Sequence, residues 1–150
     1  MQKIWEFFEN MNELVYVSDM DTYELLYMNK KARELYDFKS MEDLAGRKCH
    51  ELIQGSKEPC ALCNNKELMP GHFKEWSYYN PLVGRHFELK DTMLEAGGRR
   101  LRMELAVDST AQKQQDRMID SYQKMEALAN EGLRVALQAQ TPDQSLEVIL

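Results

Sequence analysis

The chain has 150 residues, three cysteines and a formal net charge of −6, with its Lys and Arg residues scattered among the acids. That length holds one domain of about 100 to 110 residues with an extension of about 30 to 40, and leaves no room for a second complete domain. The scattered charge argues against a nucleic-acid footprint or an anionic membrane surface.

The opening run, Met1 to Glu9, carries acids inside its apolar stretch and has no small-residue cleavage site, so it is not a secretory signal. Ile4, Phe8 and Met11 recur at helical spacing and predict a short amphipathic helix over 1–12. Leu14 to Met20 and Tyr23 to Met28 read as two strands joined at Asp21-Thr22. Asn29 is positioned to cap a helix over Lys30 to Tyr36, and Ser40-Met41-Glu42-Asp43 has the form of a capping box opening another. Between Gly46 and Gly71 the chain is punctuated by Gly55, Pro59 and Pro70, which predicts short helical pieces, and all three cysteines lie there.

From His72 the pattern turns to strands: Phe73 to Tyr79, His86 to Leu94 and, after a Gly97-Gly98 turn, Arg99 to Val107. In the last of these Leu101, Met103, Leu105 and Val107 alternate with Arg100, Arg102 and Glu104, the mark of a half-buried strand. The order of elements predicts an α+β fold, a five-stranded antiparallel sheet with short helices on one face. That domain occupies 13–110.

The last strand runs through Asp108, Ser109 and Thr110 into a long polar helix over 111–140, with Ser109 or Thr110 as its cap, so the junction reads as an output lever. A helix of roughly 30 residues reaches about 45 Å. Met118, Tyr122, Met125 and Ala129 step by 4, 3 and 4, the spacing of a two-stranded seam, and predict a homodimer; the alternative is a helix folded back on its own sheet. Thr141-Pro142-Asp143-Gln144 opens a further helix ending on apolar Leu146, Val148, Ile149 and Leu150, so 141–150 is expected to begin a following domain.

The succession of Asp19 closing the first strand, Tyr27-Met28-Asn29 closing the second, Gly46-Arg47 before the middle helices and Asp108-Ser109-Thr110 at the exit resembles the PAS sensor family over roughly residues 10 to 110. The resemblance implies a sheet that cups a cavity with its helices and signals through the exit helix. Lys48 to Gly55, Pro59-Cys60-Ala61-Leu62-Cys63, Tyr79-Asn80-Pro81 and Arg102 to Asp108 are similar to a bacterial subgroup often placed ahead of diguanylate cyclase domains. Residues 130 to 150 are similar to the opening of a GAF-type domain. The implied function is a sensory and dimerisation module of a cytoplasmic signalling protein, regulating an output domain such as a diguanylate cyclase.

Cys49-x10-Cys60-x2-Cys63 is the cluster with possible inorganic chemistry. Structural zinc wants four ligands, and His72, just beyond Pro70-Gly71, is the freest candidate to complete a zinc or iron set. In a second reading Pro59 places Cys60 at a helix N-terminus, where a thiolate is favoured and a reversible bridge to Cys63 or Cys49 can form. In a third the cysteines are simply buried. Gly46-Arg47-Lys48-Cys49 is also similar to the flavin-binding light-sensing branch. Lys48, His50 and Ala106 replace that branch's Asn, Arg and Gln, so flavin is not expected.

No triad, phosphate loop or paired acids can be placed in one cleft, so no catalytic residues are expected. Trp76, Tyr78 and Tyr79, with Trp5 and Phe8, are candidates to line a small-molecule cavity or a subunit contact, against a simpler role as core. The rival to a ligand sensor is a ligand-free dimerisation domain using Ile4, Phe8 and Met11. No nucleic acid or membrane partner is expected, and the odd thiol count fits reduced cysteines in the cytoplasm.

Overall fold

The computed structural model describes residues 2–140 and divides them into two compact units, one through Thr110 and one from Ala111 onward. The predicted helix start over 141–150 lies outside the described residues.

In the first unit a helix, α1 (Gln2–Glu9), precedes β1 (Leu14–Asp19) and β2 (Leu25–Met28). Two short helices follow, α2 (Lys30–Leu35) and α3 (Cys49–Gln54), with 3-10 turns at Met41–Leu44 and Asn65–Glu67. Three longer strands complete the unit: β3 (Lys74–Asn80), β4 (Arg85–Ala96) and β5 (Arg99–Asp108). All pairings are antiparallel, in the order β2-β1-β5-β4-β3. The first and last strands of the chain reading, β1 and β5, therefore meet at the centre of the sheet.

Local chemistry accounts for the elements. Asn29 is fully buried, and its Oδ1 accepts from Ala32 N–H at 3.1 Å, capping α2, and from Val15 N–H at 3.1 Å, tying that cap to β1. Its Nδ2 donates to the carbonyls of Phe8 (3.0 Å) and Glu13 (2.8 Å), which fixes the end of α1. Asp43 reaches back to the Ser40 N–H at 3.0 Å, as the box pattern requires. Asp19 holds the first hairpin: Oδ1 accepts from Asp21 and Thr22 N–H, both at 2.8 Å, and Oδ2 from Arg99 Nε at 2.7 Å. Against the cost of burial, the Thr22 N–H and the Arg99 guanidinium hold the Asp19 carboxyl down to about 2.

The sheet is buried on both faces. On one, Val15, Val17, Tyr27, Leu101 and Met103 pack with Trp5, Phe8 and Met11. The Arg33 guanidinium pairs with Glu9 at 2.5 Å, and Tyr27 Oη donates to the Trp5 carbonyl at 3.1 Å, both tying α1 to this face. Phe8 and Met11 are thus spent inside the unit and do not form a free contact stripe; Ile4 stays exposed. On the other face Leu14, Tyr16, Phe87, Leu89 and Ala106 meet Ala32, Leu44, Leu52 and Ile53 from the helical segments. Arg102 and Glu104, read in the sequence as the solvent side of a half-buried strand, lie on this helix-covered face and are only 7% and 5% exposed. The alternation separated the two faces correctly. It does not report that α2, α3 and their connecting loops cover the polar one.

All but the first residue of α4 (Thr110–Gln140) lies in the second unit; it is one helix of 31 residues with no buried side chain. Met118, Tyr122, Met125 and Leu128 are among its exposed apolar residues.

Candidate functional site

The helix-covered face encloses a cavity of about 300 Å³. Its apolar wall comes from Ile53 on α3, Trp76 and Tyr78 on β3, and Leu89 on β4, with Pro81 at the turn after β3. Asn80, buried at that turn, donates to the Ile53 carbonyl (3.0 Å) and to Tyr36 Oη (3.2 Å) while its Oδ1 accepts from Leu82 N–H (2.9 Å), so one side chain joins α3 to the rim. Tyr78 Oη donates to Gln54 Oε1 at 2.7 Å across the same opening.

The polar pole is built from three adjacent strands. The register places Tyr16 on β1 opposite Glu104 on β5, and Glu104 opposite Asp91 on β4. Arg102 Nη2 donates to Asp91 Oδ2 at 3.0 Å and to Glu104 Oε2 at 2.6 Å. Asp91 is fully buried and also accepts from Trp76 Nε1 at 2.5 Å and Asn64 Nδ2 at 2.7 Å. Charge-assisted bonds of this kind fix both the guanidinium and the indole. Arg102 and Glu104 face the cavity, while Asp91 does not belong to its lining.

Two carboxyls share one guanidinium in a place without water's screening, and the balance decides the protonation of Glu104. Burial pushes Glu104 up to about 8, Arg102 pulls the other way, and the Asp91 carboxylate adds to the rise. Burial also lifts the Tyr16 hydroxyl well above its ordinary value. Four buried polar atoms around this pole, Arg102 Nε, Asp91 Oδ1, Asn64 Oδ1 and His50 Nδ1, have no hydrogen-bond partner among the described residues. Buried polar groups are ordinarily paired, and of these four exceptions Arg102 and His50 are lining residues of the cavity.

All three cysteines line this cavity, and all are free thiols. Cys60 does not start a helix; it opens a turn in which Cys63 N–H donates to its carbonyl at 3.0 Å. Without a helix dipole to favour the thiolate, burial raises the Cys60 thiol, and it raises Cys49 to about 11. The expected activated thiolate is therefore corrected to a protonated thiol. His72 is exposed and outside the lining, with Thr92 Oγ1 donating to its carbonyl at 2.7 Å. Among the described residues no group of three or more His, Cys, Asp or Glu is arranged to hold a metal ion.

Of the aromatic candidates, Trp76 and Tyr78 line the cavity. Tyr79 points to the other side of β3, where it is exposed and packs on His86, and Trp5 and Phe8 belong to the opposite face. Tyr16, Asn64, Asp91, Arg102 and Glu104 carry the polar pole, and sequence reasoning singled out none of them as a site. One signal was present. The Gly97-Gly98 turn sets the pairing of Ala96 with Arg99, and counting back from it brings Asp91 opposite Glu104. Two acids facing across paired strands are unfavourable unless a cation joins them.

The pole lies on the strand that leads to the exit. Phe87 on β4 pairs with Asp108 at the end of β5, and Ser109 N–H donates to the His86 carbonyl at 2.9 Å. Thr110 Oγ1 accepts from His86 N–H at 3.0 Å and donates to Asp108 Oδ1 at 2.5 Å. Asp108 Oδ1 also takes the Thr110 N–H at 2.9 Å, and Oδ2 pairs with Arg85 at 3.0 Å. The side chain that receives the N–H at the start of α4 is thus Asp108, whereas Ser109 Oγ is buried without a partner among the described residues. The sequence had assigned that role to Ser109 or Thr110.

Among the described residues no helix is long and apolar enough to cross a membrane. No protein-family model matches the chain, and no curated protein matches it significantly. Solved structures do. The PAS domain of an HTR-like protein from Haloarcula marismortui aligns with a TM-score of 0.55 at 13% identity, covering 71% of this chain and 89% of that one. A PAS domain from a two-component sensor histidine kinase aligns at 0.52 and 21% identity, covering 71% and 94%. The PAS domain of nitrogen regulation protein NR(II) from Vibrio parahaemolyticus aligns at 0.54 and 14% identity, covering 70% and 96%. At these identities the likeness is one of fold, and the fold is the five-stranded antiparallel PAS type with a long C-terminal helix.

Proposed function

We propose that the chain is a non-catalytic sensory module of a signalling protein: a small molecule entering the cavity rearranges the Arg102, Asp91 and Glu104 cluster, and β5 passes the change to α4. The observation that carries this reading is that Arg102 and Glu104 line the cavity on the strand whose last residue, Asp108, receives the Thr110 N–H at the start of the exit helix. A ligand acts only through different affinities for two states, and a buried ionic cluster with unpartnered atoms supplies a large difference between filled and empty.

The transmitted variable is the pairing of α4 with a second copy along Met118, Tyr122, Met125 and Ala129. The first three of these are exposed and lie on one face at heptad-like spacing. The fold shared with PAS domains of a two-component sensor histidine kinase and of nitrogen regulation protein NR(II) supports a signalling role. An output domain such as a diguanylate cyclase, downstream in the cytoplasm, fits the sequence resemblance.

Cavity thiols offer a test that needs no knowledge of the natural ligand. Iodoacetamide at alkaline pH alkylates them and fills the space, and sedimentation velocity then reads the pairing of α4. Filling is expected to shift the monomer–dimer balance. Neither the cysteine-free variant C49A/C60A/C63A nor the unpaired variant M118E/Y122E/M125E is expected to respond, the latter sedimenting as a monomer throughout. An unchanged balance after full alkylation would overturn the reading.

A further inference from the structure

We infer, building on the cavity reading above, that the ligand is a small organic cation of the amine or amidine class, its charge on Glu104 and its flat or apolar body against Trp76, Tyr78 and Leu89.

Charge decides the sign. Among the described residues Arg102 is the only Lys or Arg in the lining, and the fully buried Asp91 already matches its charge through a 3.0 Å contact. Glu104 is a second carboxyl on that same guanidinium, 2.6 Å away, with no further counter-charge among the described residues. A buried carboxylate in that position is costly unless something positive joins it. With Glu104 neutral, an incoming anion would be a second negative group on a guanidinium that Asp91 already matches. An incoming cation would complete two matched pairs.

The remaining features select an organic cation. A metal ion needs several ligands, and among the described residues no group of three or more His, Cys, Asp or Glu is arranged to hold one. The lining instead offers aromatic faces, Trp76 and Tyr78 with ring centroids 5.7 Å apart, and aromatic faces attract ammonium and amidinium groups.

A proton is the cation that Glu104 holds when the cavity is empty. The titratable groups facing it are Tyr16 from β1, Tyr36 following α2, Asp91 from β4, Arg102 from β5 and Cys60 from the loop. Burial raises both hydroxyls and the thiol, so they stay neutral while Glu104 titrates near 8. Binding a permanent cation at neutral pH therefore expels the Glu104 proton into solvent. Affinity tightens as pH rises towards about 8 and levels off above it.

Three isosteric probes separate the possibilities by isothermal titration calorimetry on the full chain: cationic benzamidine, neutral benzamide and anionic benzoate. Benzamidine is expected to bind, to release close to one proton at neutral pH when buffers of different ionisation enthalpy are compared, and to lose about tenfold or more in affinity in Glu104→Gln. Gln replaces the neutral acid at the same size, so that variant keeps the fold, which circular dichroism verifies. Benzoate or benzamide binding in preference to benzamidine would overturn the cation assignment and leave a ligand cavity standing. No benzamidine binding at millimolar concentration, or unchanged affinity in Glu104→Gln, would overturn it as well.

Discussion

Glu104 is the residue on which the chemistry turns. Its folded value, about 8, lies above the ordinary 4.5, so the folded protein holds a proton that the unfolded chain has released between those values. Stability from the neutral carboxyl is therefore complete below about 4.5 and is lost as pH rises through about 8, with a slope of about 1.4 kcal/mol per pH unit where the two states differ by one proton. Urea denaturation across this window is expected to show that decline in the wild type and to lack this component in Glu104→Gln. Asp19 works with the opposite sign: its contribution is present above its ordinary 3.8 and is lost as pH falls through about 2, so it leaves the Glu104 window undisturbed. An acid at such a position is invisible to hydropathy patterning. Arg102 and Glu104 look like surface residues because alternation distinguishes the faces of β5 but carries no information on what covers each.

Among the elements, β5 carries Arg102 and Glu104 of the cavity lining and ends next to the start of α4. Only Ser109 separates them, and Asp108 binds the Thr110 N–H, the Thr110 hydroxyl and the Arg85 guanidinium. Asp108→Ala is expected to destabilise the first turn of α4 by about 1 kcal/mol, the cost of a lost cap, and to speed amide exchange there by about fivefold. Exchange unchanged at Thr110 and the following turn would show that the Thr110 to His86 contact suffices. The strands themselves were legible in the sequence because Gly97-Gly98 and the period of two fix their register. The cap was not, since Asp108, Ser109 and Thr110 are all good cap residues and only the tertiary contact with His86 orders them.

Taken whole, the molecule uses its two sheet faces for different ends. α1 closes one face with Trp5, Phe8 and Met11, making it structural, while α3 and the cysteine-bearing loop close the other over a cavity. The fold class was readable from element order because each element must bury its apolar side. The polar pole was not, because Asn64, Asp91, Arg102 and Glu104 come together only through strand pairing and a loop contact, with no local motif to announce them. The three cysteines that the spacing groups together all line this cavity. The most direct test of this division is amide exchange by NMR before and after iodoacetamide fills the cavity. Coupling through β5 predicts altered protection at Ser109, Thr110 and the first turn of α4, with the α1-covered amides of Val15 and Val17 unchanged. Changes confined to the cavity lining, with the junction amides exchanging as before, would contradict it.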